Sequence, residues 1–252
     1  MLAALLSDFY LQFSSSIKME LGSLEIYLSQ AAIHWPRTSL PLRRIEYPAG
    51  WPFVHGLERI AAGVLLIACV PLLAVAALAV IALSGKSPLV AHRRVGRYGA
   101  SLWVLKLRTM WQADDKPAIP RGLIEHLAET DVPEVKAGTD PRVTSRFATF
   151  LRKFSIDELP QLLHVLRGEM SLVGPRPLTR AELAKYYGEY ATEIIQIQPG
   201  LTGLWQVRGR NRLSYRQRLR LDLFLVRHCC AWLYLRVFLR SIPRVVSGKD
   251  AW

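Results

Sequence analysis

The longest uninterrupted apolar stretch of the chain runs from Ile60 to Ser84, 25 positions without a charged residue. That length is enough for a helix to cross a bilayer. Pro71 divides it into arms of 11 and 13 residues, each reaching about 16–20 Å as a helix, roughly half a bilayer. Basic residues flank both sides: Arg43, Arg44 and Arg59 before, Lys86, Arg93, Arg94 and Arg97 after. The bias of Lys and Arg toward the cytosol therefore places both ends on one side. Two readings stand open on these residues, a helix-break-helix hairpin entering one leaflet and a single span kinked at Pro71.

A second pattern recurs at helical spacing. Leu159, Leu162, Leu163 and Leu166 fall at i, i+3, i+4 and i+7, which predicts a short amphipathic helix ending at Arg167-Gly168. Ser155 with Glu158 three residues on has the spacing of a capping box, and Asp157 is the alternative cap because Pro160 falls early in the helix. Either way Asp157 and Glu158 stand at a helix N-terminus, where free amides and the dipole favour ionised carboxylates.

Elsewhere the pattern is mixed. Gly96 and Gly99 bracket a turn, and Leu102–Arg108 reads as a strand that places Lys106 and Arg108 on one face. A loop carrying a short helix is predicted over Leu123–Thr130, a helix over Arg180–Tyr190, a turn at Gln198–Gly203 and a short strand over Leu204–Val207. From Leu219 to Ile242 the chain is apolar but broken by Arg220, Asp222, Arg227, His228, Arg236 and Arg240. Each central charge costs about 2.5–3.5 kcal/mol in a span, so the segment reads as an interfacial amphipathic helix or a packed core helix. The prolines at 36, 41, 48 and 52 mark residues 1–50 as a leader and linker without an assigned role. The organisation expected is a leader over 1–50, a membrane hairpin over 51–86 and a catalytic domain over 87–252, helix-rich and of α/β class.

Charge sharpens this picture. Lys and Arg number 33 against 20 acids, a net +13, which points to phosphate-bearing partners such as phosphorylated substrates, anionic lipid or nucleic acid. Six arginines fall between Arg208 and Arg220, with Tyr215 the sole aromatic among them. A basic membrane-surface or nucleic-acid-binding module is therefore the competing, non-enzymatic reading, weakened by the shortage of stacking residues. Cys69, Cys229 and Cys230 form neither a disulfide framework nor a metal-ligand pattern, which fits a reducing compartment.

The pieces SPLVAHRRVG, KLRTM, DPRVT, FLRKFSIDELPQLLHVLRGEMSLVGPRPL, QPGLTGLWQVRGRN and RLDLF occur in order between about Trp51 and Trp252. In this the chain resembles the bacterial sugar transferases that prime glycan assembly, the monotopic polyprenyl-phosphate phosphoglycosyl transferases. The resemblance implies a re-entrant N-terminal hairpin broken at Pro71, a UDP-sugar donor, a polyprenyl (undecaprenyl) phosphate acceptor and release of UMP. It implies Asp157 as the nucleophile that takes the sugar phosphate and Glu158 as the acid that helps hold Mg²⁺ or Mn²⁺. Arg152, Lys106, Arg108 and Arg176 are the candidate phosphate contacts, with Pro175 and Pro177 stiffening the loop around Arg176, and Asp222 supporting the site. The expected setting is the cytosolic face of the bacterial inner membrane, in contact with lipid, without nucleic acid, and with a homodimer left open. The chain departs from the family pattern at Val70, Glu58, His55, His92, His164 and Gln198, the last in place of an arginine expected to contact nucleotide or phosphate.

Overall fold

The computed structural model describes residues 44–45, 47–48, 50–111, 122–127, 143, 145–209 and 212–248. The readings made for most of 1–50 and for most of 112–142 lie outside the described residues. All described residues belong to one compact unit, Leu42–Trp252.

Helix α1, Trp51–Ser84, has Pro at its start, where no backbone donor is needed, and a left-handed Gly85 at its end. The break expected at Pro71 is not present as a non-helical residue: the helix continues through it. Proline removes one hydrogen bond and bends a helix, and here the regular turns on both sides keep it intact. One face of α1 binds its own domain along the whole length. Trp51, Glu58, Ala62, Ala76, Val80 and Ser84 are buried. Ala62 packs with Leu102, Val104, Leu162, Val165, Met170 and Leu172, with Leu66 alongside; Ala76 and Val80 pack with Leu107 and Leu151, with Leu73 alongside. These positions repeat at helical spacing. The other face is apolar and bare, with Ile67 74% exposed and Ile60, Val64, Val75 and Leu78 each above 60%. By length and composition α1 can enter a membrane, yet both of its halves pack on the same domain, each in its own cluster.

Strands β1 (Leu89–Val95) and β2 (Ser101–Leu107) form an antiparallel hairpin around the 3-10 turn Arg97–Gly99. A third strand, β3 (Ile124–Leu127), runs parallel to β1, giving the order β2-β1-β3. The helix expected over Leu123–Thr130 is thus a strand in its described part; pairing with the free edge of β1 overrides the local pattern. Helix α2, Arg146–Lys153, is capped by Ser145 and leads into a 3-10 turn, Ile156–Gln161, then α3, Leu162–Arg167. The predicted capping box is absent. Ser155 has φ 55° and makes no side-chain cap bond, because Pro160 keeps this stretch out of regular α-helix. Gly168 ends α3 in the left-handed region, as expected, and Arg59 lies where a Cβ would stand. The buried side chains of α3 are Leu162, His164 and Val165, while Leu166 is 41% exposed.

Beyond it, β4 (Ser171–Val173) pairs in parallel with β5 (Gly200–Thr202). The helix predicted for Arg180–Tyr190 is broken into an α-turn, a π-turn and a 3-10 turn, continuing to Ile194. Leu204–Arg208 is helix α4 rather than the predicted strand; β5, just before it, lies in what read as a turn. The run 219–242 is two helices, α5 (Tyr215–Arg227) and α6 (Ala231–Ser247), the second capped by the Cys230 side chain. Trp232, Leu235, Leu239, Ile242 and Val245 leave an apolar stripe exposed on α6, in keeping with an interfacial amphipathic helix.

Candidate active site

Asp157 and Glu158 occupy the first turn of the helical run that becomes α3, lying against β2. Asp157 is 9% exposed. Burial pushes its carboxyl up to about 6; Lys106 and Arg152 pull the other way, and Glu158 adds to the rise. Lys106 Nζ donates to Glu158 Oε1 at 2.5 Å. An ammonium from the sheet and a guanidinium from the end of α2 thus meet two adjacent carboxylates.

Lys106 and Arg108 part company. Arg108 stands just past β2, buried, its Nη2 2.5 Å from Glu125 on β3 and its Nε donating to the Ser87 carbonyl at 2.8 Å. Its charge therefore holds β3 to the sheet. The sequence pattern hid this because Glu125 fell in a segment read as helix.

The turn carrying Arg176 is shaped by close backbone approach. Gly174 N donates to the Thr202 carbonyl at 2.9 Å and Gly200 N to the Pro175 carbonyl at 2.8 Å. A Cβ on Gly174 would stand 2.6 Å from the Gln198 carbonyl, and one on Gly200 would collide with Gly174 N, so only glycine fits either position. Pro175 is buried and Arg176 half-buried. Gln198 turns away toward the segment before α1, accepting from Tyr47 OH at 2.5 Å.

Asp222 is fully buried on α5, accepting from Tyr187 OH at 2.8 Å. Burial pushes its carboxyl up to about 7, against Tyr187, Arg218 and Arg176. In that buried position it feels the charges of Arg218 and Arg176.

Three further residues belong here. His92 shares a sheet face with Lys106 and Arg94 by strand register, and burial together with Arg94, Lys106, Arg108 and Arg176 lowers its imidazole to about 4. His164 takes the Leu105 N–H on Nε2 at 3.2 Å, while its Nδ1 meets Glu169 at 2.6 Å, steadying the strand residue next to Lys106. Glu58, flagged in the sequence only as a departure, ties α1 to the site's scaffold. It accepts from Ser171 Oγ at 2.6 Å, Leu172 N at 2.8 Å and Tyr234 OH, and meets His55 Nδ1 at 2.8 Å. None of these three forms a spaced motif, so only tertiary contact reveals them.

No cluster of three or more His, Cys, Asp or Glu able to hold a metal is present among the described residues. The donor set of Asp157 and Glu158 nonetheless suits Mg²⁺, which takes one or two carboxylates and completes its shell with waters and substrate phosphates.

Comparison with known proteins gives the family. The family model for bacterial sugar transferases matches residues 52–248. The chain is 40% identical over 226 residues to the UDP-glucose:undecaprenyl-phosphate glucose-1-phosphate transferase of Caulobacter vibrioides, covering 86% of this chain and 74% of that one. It is 37% identical over 210 residues to the exopolysaccharide production protein ExoY of Rhizobium meliloti, 81% of this chain and 90% of the other. With the UDP-galactose-lipid carrier transferase of Erwinia amylovora the identity is 39% over 175 residues, 67% of this chain but only 35% of that longer protein. A sheet-borne lysine on one of two adjacent acids, a glycine-shaped Arg176 turn and these matches lead to one conclusion: the chain belongs to the bacterial sugar transferase family.

Proposed function

We propose that the protein transfers a sugar 1-phosphate from a UDP-sugar to polyprenyl phosphate, undecaprenyl phosphate in a bacterium, through a covalent Asp157 intermediate. The observation that carries this reading is the Asp157–Glu158 pair, one carboxylate buried beside Lys106 and Arg152 and the other held by Lys106. The names of the relatives support the substrate classes: one acts from UDP-glucose on undecaprenyl phosphate, and another is named for exopolysaccharide production.

In the first step a carboxylate oxygen of Asp157 attacks the β-phosphorus of the donor. The bond from that phosphorus to the bridging oxygen breaks, and UMP leaves with the oxygen and the electron pair. In the second step an oxygen of the lipid phosphate attacks the same phosphorus, and Asp157 regains its carboxylate. The product is a polyprenyl diphosphate sugar. Asp157 is useful as a nucleophile only when ionised and when phosphate oxygens near it are screened; Lys106, Arg152 and Arg176 provide positive charge for that screening. Glu158, with Asp157, would hold Mg²⁺ or Mn²⁺, which when bound neutralises diphosphate charge.

The α1 geometry supports a monotopic arrangement. Both halves of α1 pack on the same domain while its outer face is apolar, so a re-entrant helix entering one leaflet with its domain attached satisfies the contacts better than a span projecting away from its domain. The lipid phosphate then meets the site at the membrane surface, on the cytosolic leaflet where UDP-sugars are found. No observation favours the nucleic-acid alternative, and Arg218 from the basic run packs on Trp205 and Tyr215 instead.

The test is incubation of the full chain in detergent or nanodiscs with a UDP-sugar panel and no acceptor, followed by intact mass. A sugar-phosphate adduct on the native chain, absent from Asp157→Asn, is expected. UMP release from Asp157→Asn at the native rate would refute the assignment.

A further inference from the structure

Arg218 was counted in the sequence only as one of a basic run. In the structure its guanidinium carbon lies 4.6 Å from the centre of the Trp205 ring and 5.0 Å from that of Tyr215. The Arg176 guanidinium carbon lies 5.9 Å from the same indole. Tyr215 is in turn stacked on Tyr186, with ring centres 3.7 Å apart and planes 5° from parallel, and Arg218 Nε donates to the Leu213 carbonyl at 3.1 Å. Trp205 is 4% exposed. The indole is a rigid wall on which both arginines rest.

Among the described residues neither arginine forms an ion pair, and burial lowers the Arg218 guanidinium from its ordinary value, with the Arg176 charge adding to the fall. Two carboxylates are near enough to matter. Glu182 is taken by Thr179 N at 2.8 Å and by Arg94 at 3.5 Å. Asp222 is fully buried, accepts from Tyr187 OH on one oxygen and has no hydrogen-bond partner on the other, and burial pushes its carboxyl up to about 7. Two half-buried cations sharing one aromatic platform, without an ion-pair partner among the described residues, leave a local excess of positive charge. Planar guanidiniums match phosphate oxygens, and stacking fixes their planes so that little freedom is lost on binding. His92 feels the Arg176 charge as well as that of Lys106, so this excess is continuous with the field around Asp157.

We propose that Arg176 and Arg218, both packed on Trp205, form a two-guanidinium clamp for a phosphate ester, making Arg218 a substrate-binding residue and Trp205 its positioning residue. The clamp deepens the proposed transfer reaction and rests on it for the identity of the phosphates, which come from the nucleotide or from the lipid acceptor. Arg218 takes no part in the attack itself, so binding and chemistry can fail separately.

The experiment uses the full chain in nanodiscs and the variants Arg218→Gln, Arg218→Lys, Trp205→Phe and Asp157→Asn. UMP affinity is read by ligand-dependent thermal stabilisation, which needs no turnover, and the KM for undecaprenyl phosphate by UMP release. Arg218→Gln is expected to weaken UMP at least tenfold, with Arg218→Lys intermediate because it keeps charge but loses the fork. Trp205→Phe, keeping an apolar platform, should fall between native and Arg218→Lys. Asp157→Asn should bind UMP as the native chain does. A tenfold rise in acceptor KM with UMP unchanged also supports the clamp and assigns it to the lipid phosphate. If Arg218→Gln does not fold, the Arg218→Lys comparison decides in the same way. Native UMP affinity and native acceptor KM in a folded Arg218 variant overturn the clamp and leave the Asp157 reaction standing. Full turnover by Asp157→Asn overturns the nucleophile and leaves the clamp standing.

Discussion

Lys106 reaches from the end of β2 to Glu158, Nζ to Oε1 at 2.5 Å, and the same ammonium opposes the rise that burial imposes on Asp157. One cation therefore serves both carboxylates. Each member of the Lys106–Glu158 pair keeps about a quarter of its side-chain exposure, so the pair adds at most about 1 kcal/mol to stability. Its value lies in the charge it holds beside the proposed nucleophile.

Lys106→Met should therefore leave folding almost untouched while lowering UMP release about 100-fold or more, the usual cost of removing one preorganised charge from such a site. Steady-state UMP release and a melting curve on the same preparation check this. A variant within threefold of native turnover would show that Lys106 only decorates the surface of β2.

Asp222 gives a pH prediction. Its carboxyl, raised to about 7 by burial against the pull of Tyr187, Arg218 and Arg176, binds its proton more tightly folded than unfolded. That difference stabilises the fold below the ordinary carboxylate value and is lost as pH rises through about 7. The native chain should lose on the order of a few kcal/mol from this group between pH 4 and 8. Asp222→Asn, neutral throughout like the protonated acid, should not show that loss. The two chains should therefore be close in stability at low pH and draw apart as pH rises through about 7, the native chain the less stable above it. Denaturant unfolding at a series of pH values measures the slopes. Identical slopes for the two chains would mean that Asp222 is ionised in the folded protein.

The parts of this fold legible in the sequence are those set by local pattern. The charge-free run 60–84 gave α1, the alternation over 102–108 gave β2, and Arg167-Gly168 marked the end of α3. The Asp157–Glu158 pair was legible because Ser-Ile-Asp-Glu-Leu-Pro is a contiguous motif. What escaped were residues placed by tertiary contact. Glu125 entered a strand because β1 had an unpaired edge, and there it pairs with Arg108. Leu204–Arg208 coiled into a helix because Gly200–Thr202 had already made the pairing with β4. Ser155 kept the spacing of a cap but was turned to positive φ beside Pro160. Trp205 and Arg218 are 13 positions apart and meet only when α4 packs on α5.

Glu58 carries the union of α1 with the domain. Four donors from α1, β4 and α6 converge on its carboxylate, which is 5% exposed. Glu58→Ala would strand Ser171, Leu172 N–H and Tyr234 without their acceptor, at a cost of about 3–5 kcal/mol. For a unit of this size that corresponds to a fall of about 10 °C in melting temperature. Glu58→Asp keeps the charge with a shorter reach and should lose less. Melting in a fixed detergent compares the three. An alanine variant as stable as native would mean that the apolar contacts of Ala62 and Val80 alone hold the helix.

The arrangement of α1 makes its own forecast. A helix whose buried face runs from Trp51 to Ser84 against one core cannot place its ends on opposite sides of a bilayer without tearing Ala62 or Val80 from their neighbours. Single cysteines at Phe53, 71% exposed, and at Lys86, in a chain with Cys69, Cys229 and Cys230 replaced by alanine, report the two ends. Both should react with an impermeant maleimide in inverted inner-membrane vesicles and both should be shielded in intact spheroplasts. A cysteine at Ile67, on the bare face, should react with neither preparation until detergent is added, because that face is then the part sunk in lipid. Labelling of the two ends from opposite sides would make α1 a plain span, and would require the contacts of one of its halves to be absent in the membrane.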